Sequence, residues 1–307
     1  MEPYAPVAER LRTIRDLIRF GASAFNESDL HFGHGTDNAM DEALALVLHA
    51  LYLDHELPPQ YLDARLTADE IARIHALFAR RITERLPAAY LTHEARFAGL
   101  SFYVDERVVI PRSPIAELIA HRFEPWLAAG DDARILDLCC GSGCIGIACA
   151  LAFPDAQLTL ADHDPAALEV ARGNVGDYGL EVRVNVIESD LFSALPAGNY
   201  DLIVCNPPYV DAATYADLPP EYRHEPRVGL ESGSEGLDHT LAVLKGAASY
   251  LTPNGVLVLE VGAAQSAFEQ ALPNLEAVWV EFEHGGEGVA VIKRAALAMP
   301  NALERAA

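Results

Sequence analysis

Apolar residues recur at helical spacing through the first part of the chain. The earliest of them are Val7, Leu11, Ile14 and Ile18. A second, strongly apolar helix is predicted from Asp41 to Leu53, and Thr67 with Glu70 forms a capping box that marks the start of a third. We therefore predict a small helical domain over residues 1–92, which binds a partner or covers a site.

The pattern changes near His93, where short β-type runs replace the helical spacing. These runs are interrupted at Ala98-Gly99 and at Asp105-Glu106, and they end at Pro111. Short runs separated by turn-forming residues are typical of a β-hairpin. We therefore expect residues 93–112 to form a β-hairpin that links two domains.

From about Ala133 onward, short apolar runs alternate with helical segments. The predicted strands are ARILDL, QLTLAD, VRVNVI, DLIVCN and GVLVLEV, and the predicted helices are Cys144 to Phe153, Pro165 to Val175 and Leu237 to Tyr250. This alternation predicts an α/β domain with a parallel sheet covered by helices on both faces. Near the end, AVWVEFE and VAVIKR flank the glycine-rich turn HGGEG, which predicts a terminal antiparallel hairpin. We assign this domain to residues 113–295 and a tail to residues 296–307.

Composition and charge narrow the possible partners. Hydrophobic residues make up 51% of the chain and charged residues 22%, as in ordinary globular proteins. Acidic residues outnumber basic residues by 45 to 22, and the formal net charge is −23. A surface of this charge repels phosphate backbones, so no direct nucleic-acid binding is expected. The same charge attracts a basic protein, although it also serves solubility alone.

The five cysteines are consistent with a reducing compartment. The first residues carry charges where a signal peptide is apolar, and no apolar run reaches the ~18 residues of a membrane helix. We therefore expect a cytoplasmic protein with no membrane segment. Cys140 and Cys144 suggest a metal pair, but their spacing is not that of a zinc knuckle. We interpret them as small buried hydrophobes and predict no metal site.

The first predicted strand of the α/β domain runs into the loop DLCCGSGCIG, from Asp137 to Gly146. Ligands of open α/β sheets lie beyond the carboxyl ends of the strands, and glycines allow the backbone to approach them closely. The loop matches GxGxxG, so a nicotinamide dehydrogenase is an alternative, although this motif alone is weak. Asp137 argues against it, because a carboxylate there repels a pyrophosphate but pairs with an ammonium group. A structural contact with the following helix is the other interpretation of Asp137.

The second and third strands end in further polar residues. Asp162 follows the second strand, where a carboxylate can hold ribose hydroxyls. Asp190, after the third strand, is placed to accept a hydrogen bond from an adenine amino group, and Leu191 is placed against the ring. An ammonium group, a ribose and an adenine without a phosphate together describe S-adenosylmethionine.

The fourth strand ends in Asn206-Pro207-Pro208-Tyr209. The prolines remove two N–H donors and hold Asn206 in an extended conformation. The groups that remain are acceptors, namely the side-chain oxygen of Asn206 and the carbonyl of Pro207. Two acceptors can hold both N–H bonds of a planar amide and direct its nitrogen at an electrophilic methyl group, while the ring of Tyr209 packs on the amide. The alternative is a plain proline turn after a strand.

These motifs resemble those of the N5-glutamine methyltransferases, over a stretch from about Tyr4 to Lys293. NPPY after the fourth strand and DLCCGSG after the first also resemble the adenine-N6 methyltransferases, which act on a similar planar amine. The linker ERLPAAYLTHEARFAGLSFYVDERVVIPRSPIAEL is similar to that of the glutamine enzymes. Within the family, the run from Arg112 to Glu117 and the segment after NPPY resemble the branch that modifies the third protein of the large ribosomal subunit. The sister branch acts on release factors.

The resemblance implies a Rossmann-like, seven-stranded class I methyltransferase domain whose helical N-terminal domain recognises the substrate. It implies that the cofactor, S-adenosylmethionine, is lined by Cys139, Cys140, Gly141, Ser142, Gly143, Asp162, Leu191 and Asn206. It also implies that Asn206, Pro207, Pro208 and Tyr209 hold the target glutamine. Cys139 is a departure, since many methyltransferases have glycine there, but a small side chain is expected to fit.

The resemblance therefore favours methylation of a glutamine side-chain amide in a basic ribosomal protein. Release-factor methylation is the alternative within the family, and a ribosome-assembly protein that binds the cofactor without catalysis is a third. An intact NPPY motif argues against a scaffold, which needs no amide-binding site. The segment from Val210 to Ser234 is long enough to shape a substrate channel, and we expect His224 within it to make an ordered loop contact. The oligomeric state is left open.

Overall fold

The computed structural model describes residues 11–128, 130–196 and 198–304. Val7, where the predicted helical spacing begins, and the last three residues of the predicted tail lie outside the described residues. Contacts divide the chain into two units. One contains the described residues up to Glu94 together with Pro219–His224, and the other contains Ala95–Leu218 and the described residues from Glu225 onward. Within these ranges, no helix has the length and apolar character needed to cross a membrane.

The first unit is helical. Its helices are α1 (Ile14–Glu27), α2 (Ala39–Leu51), α3 (Ala68–Glu84) and α4 (Ala88–Thr92), with a 3₁₀ turn at Pro59–Asp63. The predicted capping box of α3 is confirmed, because the Thr67 amide donates to Glu70 over 2.7 Å and the Glu70 amide donates back over 3.4 Å. Helix α2 begins two residues before the predicted Asp41, because the side chain of Asn38 caps it.

A buried ionic cluster holds Pro219–His224 within this helical unit. Arg81 of α3 is 0% exposed and pairs with Glu42 and with Glu221. The Glu221 carboxylate also accepts from Arg85 and from the amide of His31, each over 3.0 Å. Burial would raise the pKa of Glu221, but these hydrogen bonds and the charge of Arg81 lower it overall. Glu221 is therefore an ionised partner for the two arginines.

The predicted linker hairpin is present but shorter than expected. Its strands are β1 (Glu94–Phe97) and β2 (Leu100–Tyr103), joined by a turn in which Ala98 has φ 50° and Gly99 has φ 76°. No strand follows between residues 104 and 111. There the Asp105 carboxylate accepts from the amide and the guanidinium of Arg107, and this local side-chain bonding favours a turn over a strand.

The second unit contains a seven-stranded sheet, which confirms the predicted fold. The strands are β3 (Arg134–Leu138), β4 (Gln157–Asp162), β5 (Val184–Glu188), β6 (Tyr200–Cys205), β7 (Leu251–Glu260), β8 (Val278–Trp279) and β9 (Val289–Lys293). Their order is β5-β4-β3-β6-β7-β9-β8. The five strands from β5 to β7 are parallel, and β9 is antiparallel to β7 and to β8. The chain order reverses between β3 and β6, which is where open α/β sheets bind ligands.

Helices cover both faces of this sheet. They are α5 (Ile115–Ala120), α6 (Cys144–Ala152), α7 (Pro165–Asp177), α8 (Ala212–Asp217), α9 (Asp238–Ala247), α10 (Gln265–Ala271) and α11 (Arg294–Leu297). Because successive side chains of a strand point to opposite faces of the sheet, the sheet contributes residues to two separate hydrophobic cores. One packs against α5, α6 and α7, and the other against α9, α10 and α11. Four of the five cysteines are buried, as the interpretation of them as small hydrophobes requires.

Two other predictions in this unit need correction. The expected strand AVWVEFE is reduced to Val278–Trp279, so the terminal antiparallel pair is real but only two residue pairs long. The segment from Val210 to Ser234 is not a bare loop, because it contains α8 and two 3₁₀ turns at Pro220–His224 and Arg227–Gly229. Helix α8 forms because the Asp211 side chain accepts from two amides of its first turn.

Candidate active site

Five neighbouring parallel strands, β5, β4, β3, β6 and β7, end at one edge of the sheet. Leu138 of β3 lies opposite Ala161 of β4 and Cys205 of β6. On either side, β4 pairs with β5 as far as Asp162, and β6 pairs with β7 as far as Cys205. The register therefore places all the predicted cofactor and amide-binding residues just beyond this single edge.

The loop after β3 turns tightly through a series of backbone hydrogen bonds. The amide of Cys140 donates to the carbonyl of Ala161 over 3.0 Å, and the amide of Gly143 donates back to Cys140 over 2.8 Å. Cys139 has φ 61°, in the left-handed region that favours glycine. A cysteine in place of the family's glycine is therefore strained at the backbone here. This strain is separate from the size of its side chain, which we expected to be tolerated.

Asp137 is buried beneath this loop and uses only one of its carboxylate oxygens. Asp137 is 1% exposed, and its Oδ2 accepts a hydrogen bond from the amide of Gly146 over 2.7 Å. A Cβ at Gly146 would lie 2.9 Å from that oxygen, so the approach requires glycine. Oδ1 is buried and, within the described part of the chain, has no hydrogen-bond partner. Burial raises the pKa of Asp137 to about 7, although the Gly146 amide opposes the shift and the charge of Asp162 adds to it. Asp137 thus makes the structural contact with the helix and also keeps an oxygen for a ligand.

Asp162 joins the ends of β3 and β4. Its Oδ2 accepts from the amide of Gly141 over 2.9 Å, and its Oδ1 accepts from the amide of Asp164 over 3.0 Å. Asp162 is partly exposed, and Nδ1 of His163 lies 3.5 Å from its Oδ1. A Cβ added at Gly141 would meet nothing within 4 Å, which shows free space next to this carboxylate.

The third predicted group of residues follows β5. The Ser189 amide donates to the Asp162 carbonyl over 2.8 Å, which brings this loop to the same edge. The Ser189 hydroxyl donates to the carbonyl of Leu191 over 2.6 Å, and Leu191 has φ 46°. Leu191 packs on the edge of the second core, whereas Asp190 is exposed. Ser189, which holds this turn, was not predicted as a site residue, and a serine at a strand end gives no distinctive signal.

The Asn206–Tyr209 turn follows β6 on the other side of β3. Pro207 and Pro208 are buried, whereas Asn206 and Tyr209 are partly exposed. The ring of Tyr209 rests on Gly262, where a Cβ would lie only 2.6 Å from it. The ring is therefore supported on one face by backbone, which fixes its position beside Asn206.

Glu260, at the end of β7, is a site residue that the sequence reasoning missed. It is 4% exposed and lies next to the Asn206–Tyr209 turn. Its Oε1 accepts from the hydroxyl of Tyr209 over 3.2 Å, and its Oε2 accepts from the hydroxyl of Ser113 over 2.5 Å. Burial raises the pKa of Glu260 to about 7, against hydrogen bonds from Ser113, Tyr209 and Asn206 and the charge of Arg112.

The segment that precedes Ser113 is tied to the segment after the catalytic turn. Arg112 binds both carboxylate oxygens of Glu225, over 2.5 and 2.7 Å, and the amide of Ile110 donates to the same carboxylate over 3.0 Å. A bidentate pair of this kind fixes orientation as well as distance. Farther along, His224 makes the predicted ordered contact, since its Nε2 lies 2.9 Å from the carbonyl oxygen of Glu84.

The residues at the ends of β3 and β4 fit S-adenosylmethionine. The unpartnered Oδ1 of Asp137 suits a cation, and the Asp162 carboxylate beside free space suits ribose hydroxyls. The Asp137 carboxylate would repel a pyrophosphate and so disfavours a dinucleotide, whereas Asp162 suits the ribose of either kind of cofactor. Among the described residues, no cluster of three or more side chains is arranged to hold a metal ion.

The chain is similar in sequence to known methyltransferases. A family model described as a methyltransferase small domain matches residues 117–218. The chain is 48% identical over 287 residues to the ribosomal protein uL3 glutamine methyltransferase of Bordetella pertussis, covering 93% of this chain and 96% of that protein. It is 50% identical over 286 residues to the protein of that name from Neisseria meningitidis serogroup B, covering 93% and 94%. A solved methyltransferase from Pyrococcus furiosus matches with a TM-score of 0.45 at 15% identity, covering 74% of this chain and 99% of that one.

Proposed function

Because this chain belongs to the family of ribosomal protein uL3 glutamine methyltransferases, we propose that it methylates the side-chain amide nitrogen (N5) of a glutamine in uL3. The reaction moves the methyl group of S-adenosylmethionine to that nitrogen, which loses one proton to solvent. S-adenosylmethionine supplies the methyl group as an electrophile on its sulfonium. The observation that best supports the proposal is the position of Asn206–Tyr209 at the same sheet edge as Asp137 and Asp162.

The chemical difficulty lies in the nucleophile. An amide nitrogen shares its lone pair with the carbonyl, so it attacks well only when it is held in line with the methyl group. In the proposal, the side-chain oxygen of Asn206 and the carbonyl of Pro207 each accept one N–H of the target amide. These acceptors stabilise the positive charge that develops on nitrogen. Tyr209 packs its ring on the plane of the amide, and its own position is set by Gly262.

The cofactor is proposed to lie along the loop after β3. Asp137 faces its ammonium group, and the segment Cys139–Gly143 runs along it. Asp162 binds its ribose. Asp190 and Leu191 contact its adenine, and the exposed position of Asp190 leaves its carboxylate accessible to such a ligand. Asn206 lies between the cofactor and the target amide, so it belongs to both parts of the site.

The charge of the chain supports a basic partner. The net charge of −23 favours encounter with a cationic ribosomal protein more than with a release factor. Attraction between exposed charges is screened over ~8 Å at physiological salt, so the apparent affinity for free uL3 should weaken as salt is added. We propose no contact with nucleic acid, and we expect assembled ribosomes to be poorer substrates if RNA covers the target glutamine.

The test is methyl transfer to purified uL3 and to purified release factors, measured side by side over a range of salt. Peptide mass spectrometry then locates the methyl group. We expect methyl transfer to one glutamine of uL3, with an apparent affinity for uL3 that weakens as salt is added. Preference for a release factor would overturn the substrate, and salt-independent transfer to uL3 would overturn only the electrostatic argument.

A further inference from the structure

Glu260 is a costly residue to bury beside a site that binds a neutral amide. A buried carboxylate is tolerated only when hydrogen bonds or charges compensate it. Here both oxygens are occupied by protein hydroxyls, from Tyr209 at 3.2 Å and from Ser113 at 2.5 Å. A side-chain hydrogen-bonding interaction with Asn206 also lowers the pKa of the same carboxylate. Two of these three residues belong to the proposed amide-binding turn, so the carboxylate connects directly with the proposed chemistry.

We infer that Glu260 is a positioning residue that determines which way the side-chain amide of Asn206 faces. An ionised carboxylate only accepts hydrogen bonds, so Asn206 must turn its NH₂ group toward Glu260. Its oxygen then faces the opposite way, toward the target glutamine. This inference rests on the proposed function, because only an N–H of a substrate amide needs that oxygen.

The reversed amide would block the reaction. If its NH₂ group faced the substrate, Asn206 would place a hydrogen-bond donor against an N–H of the target glutamine, which is also a donor. That N–H would then have no acceptor. The oxygen and nitrogen of an asparagine side chain have almost the same shape, so packing alone does not choose between the two orientations. The choice must come from hydrogen bonding, and an ionised Glu260 can only accept.

Protonation of Glu260 would remove this choice. A protonated carboxyl group can donate as well as accept, so it tolerates either orientation of Asn206. The groups that face Glu260 are Ser113, Tyr209 and Asn206, together with the charge of Arg112, which is itself paired with Glu225. Because the pKa of Glu260 is raised to about 7, turnover should fall as the pH is lowered through about 7.

The first experiment compares Glu260→Gln with the wild type, using purified uL3 and saturating S-adenosylmethionine from about pH 5.5 to about pH 9. Glutamine keeps the shape but can donate, so it no longer dictates the orientation of Asn206. We expect kcat to fall roughly 10-fold to 100-fold at high pH, with the acid limb of the profile lost. Glu269→Gln, on exposed α10, is the matched control and should behave as wild type. Saturating cofactor is needed because Asp137 also has a pKa of about 7 and acts on cofactor binding.

The second experiment keeps the carboxylate and changes one of its partners. The hydroxyl of Ser113 lowers the pKa of Glu260, so Ser113→Ala should move the acid limb of kcat to higher pH while leaving high-pH turnover within a few-fold of wild type. A residue with a purely structural role would lower kcat at all pH values without moving that limb. This variant also keeps the inference testable if Glu260→Gln does not fold.

The outcomes separate the inference from the proposed function. A wild-type enzyme that transfers no methyl group to uL3 overturns both. A working wild type, with Glu260→Gln that keeps its acid limb and turns over within about twofold of wild type, overturns the positioning role alone. An acid limb that stays in place in Ser113→Ala also overturns it, because Glu260 would then not be the titrating group.

Discussion

The ends of β3 and β7 each carry a buried carboxylate whose pKa is raised to about 7, and the two are satisfied in different ways. Asp137, the penultimate residue of β3, accepts from the Gly146 amide with one oxygen, and its other oxygen has no hydrogen-bond partner among the described residues. Glu260, at the end of β7, has both oxygens engaged by protein hydroxyls. A buried oxygen without a hydrogen-bond partner lowers the stability of the protein unless a ligand donates to it. A carboxylate whose two oxygens both accept from the protein instead holds those protein groups in place. The comparison supports the proposed roles, in which Asp137 binds the cofactor and Glu260 holds the Asn206–Tyr209 turn.

The largest effect is expected on the substrate side, at Asn206. Asn206→Ala removes the acceptor that orients the nucleophile, and we expect kcat to fall by roughly 10²–10³, by analogy with the loss of one oxyanion-hole donor. Cofactor affinity should change much less, because the carboxylates that bind the cofactor are untouched. Steady-state kinetics with uL3 and calorimetry with S-adenosylmethionine measure the two effects. A variant that turns over at nearly the wild-type rate would remove Asn206 from the mechanism.

The next largest effect is expected on the cofactor side, at Asp137. Asp137→Asn keeps the size of the side chain but removes the charge that faces the ammonium group. Loss of a charged hydrogen bond costs about 3 kcal/mol at the upper end of the usual range, which raises the Kd for S-adenosylmethionine about 100-fold. Asp155→Asn, at an exposed turn before β4, is the control. Calorimetry that gives the same Kd for all three proteins would contradict the assignment.

A smaller effect is expected at Asp162, because this carboxylate is partly exposed and water can replace some of its contacts. Asp162→Ala should weaken S-adenosylmethionine binding by about 1.5 kcal/mol, or roughly 10-fold in Kd, with the fold intact. Part of that loss comes from the Gly141 amide, which loses its acceptor. Calorimetry measures the affinity and circular dichroism checks the fold. An unchanged affinity would show that the ribose binds elsewhere.

The last effect concerns neither catalysis nor binding but stability as a function of pH. The pKa of Asp137 is raised on folding, from 3.8 to about 7, so the folded protein binds the proton more tightly than the unfolded chain does. The stability that this group contributes is therefore greatest at low pH and is lost as the pH rises from about 4 to about 7, by at most ~1.4 kcal/mol per pH unit. Without cofactor, Asp137→Asn should flatten that slope. Chemical denaturation at several pH values measures it, and parallel curves for wild type and variant would contradict the raised pKa.

The sequence predicted the sheet, the loop after β3 and the Asn206–Tyr209 turn because each has a local signal. The apolar runs of the strands, the spacing of the glycines and the pair of prolines can each be identified within about ten consecutive residues. Glu260 has no such signal, since a glutamate at the end of GVLVLEV is indistinguishable from one exposed at a strand end. Its partner Ser113 is 147 residues away in the chain, so only the folded structure brings them together. The break at Asp105 was predicted, but the absence of a strand over 104–111 was not, because hydrophobic alternation does not report the side-chain hydrogen bonds between Asp105 and Arg107. The short length of β8 was also not predicted.

The discontinuous helical unit has a consequence for exchanging parts between enzymes of this family. Glu221 lies more than a hundred residues beyond Glu94, yet it is the shared counter-ion of Arg81 and Arg85. A recombinant that replaces the chain only up to Glu94 would inherit the arginines from one parent and the counter-ion from another. Leaving a buried charge without its counter-ion destabilises the fold by about 3–5 kcal/mol. Exchanging the helical unit between enzymes of this family therefore requires the six residues Pro219–His224 to be moved as well, as a second and separate insert.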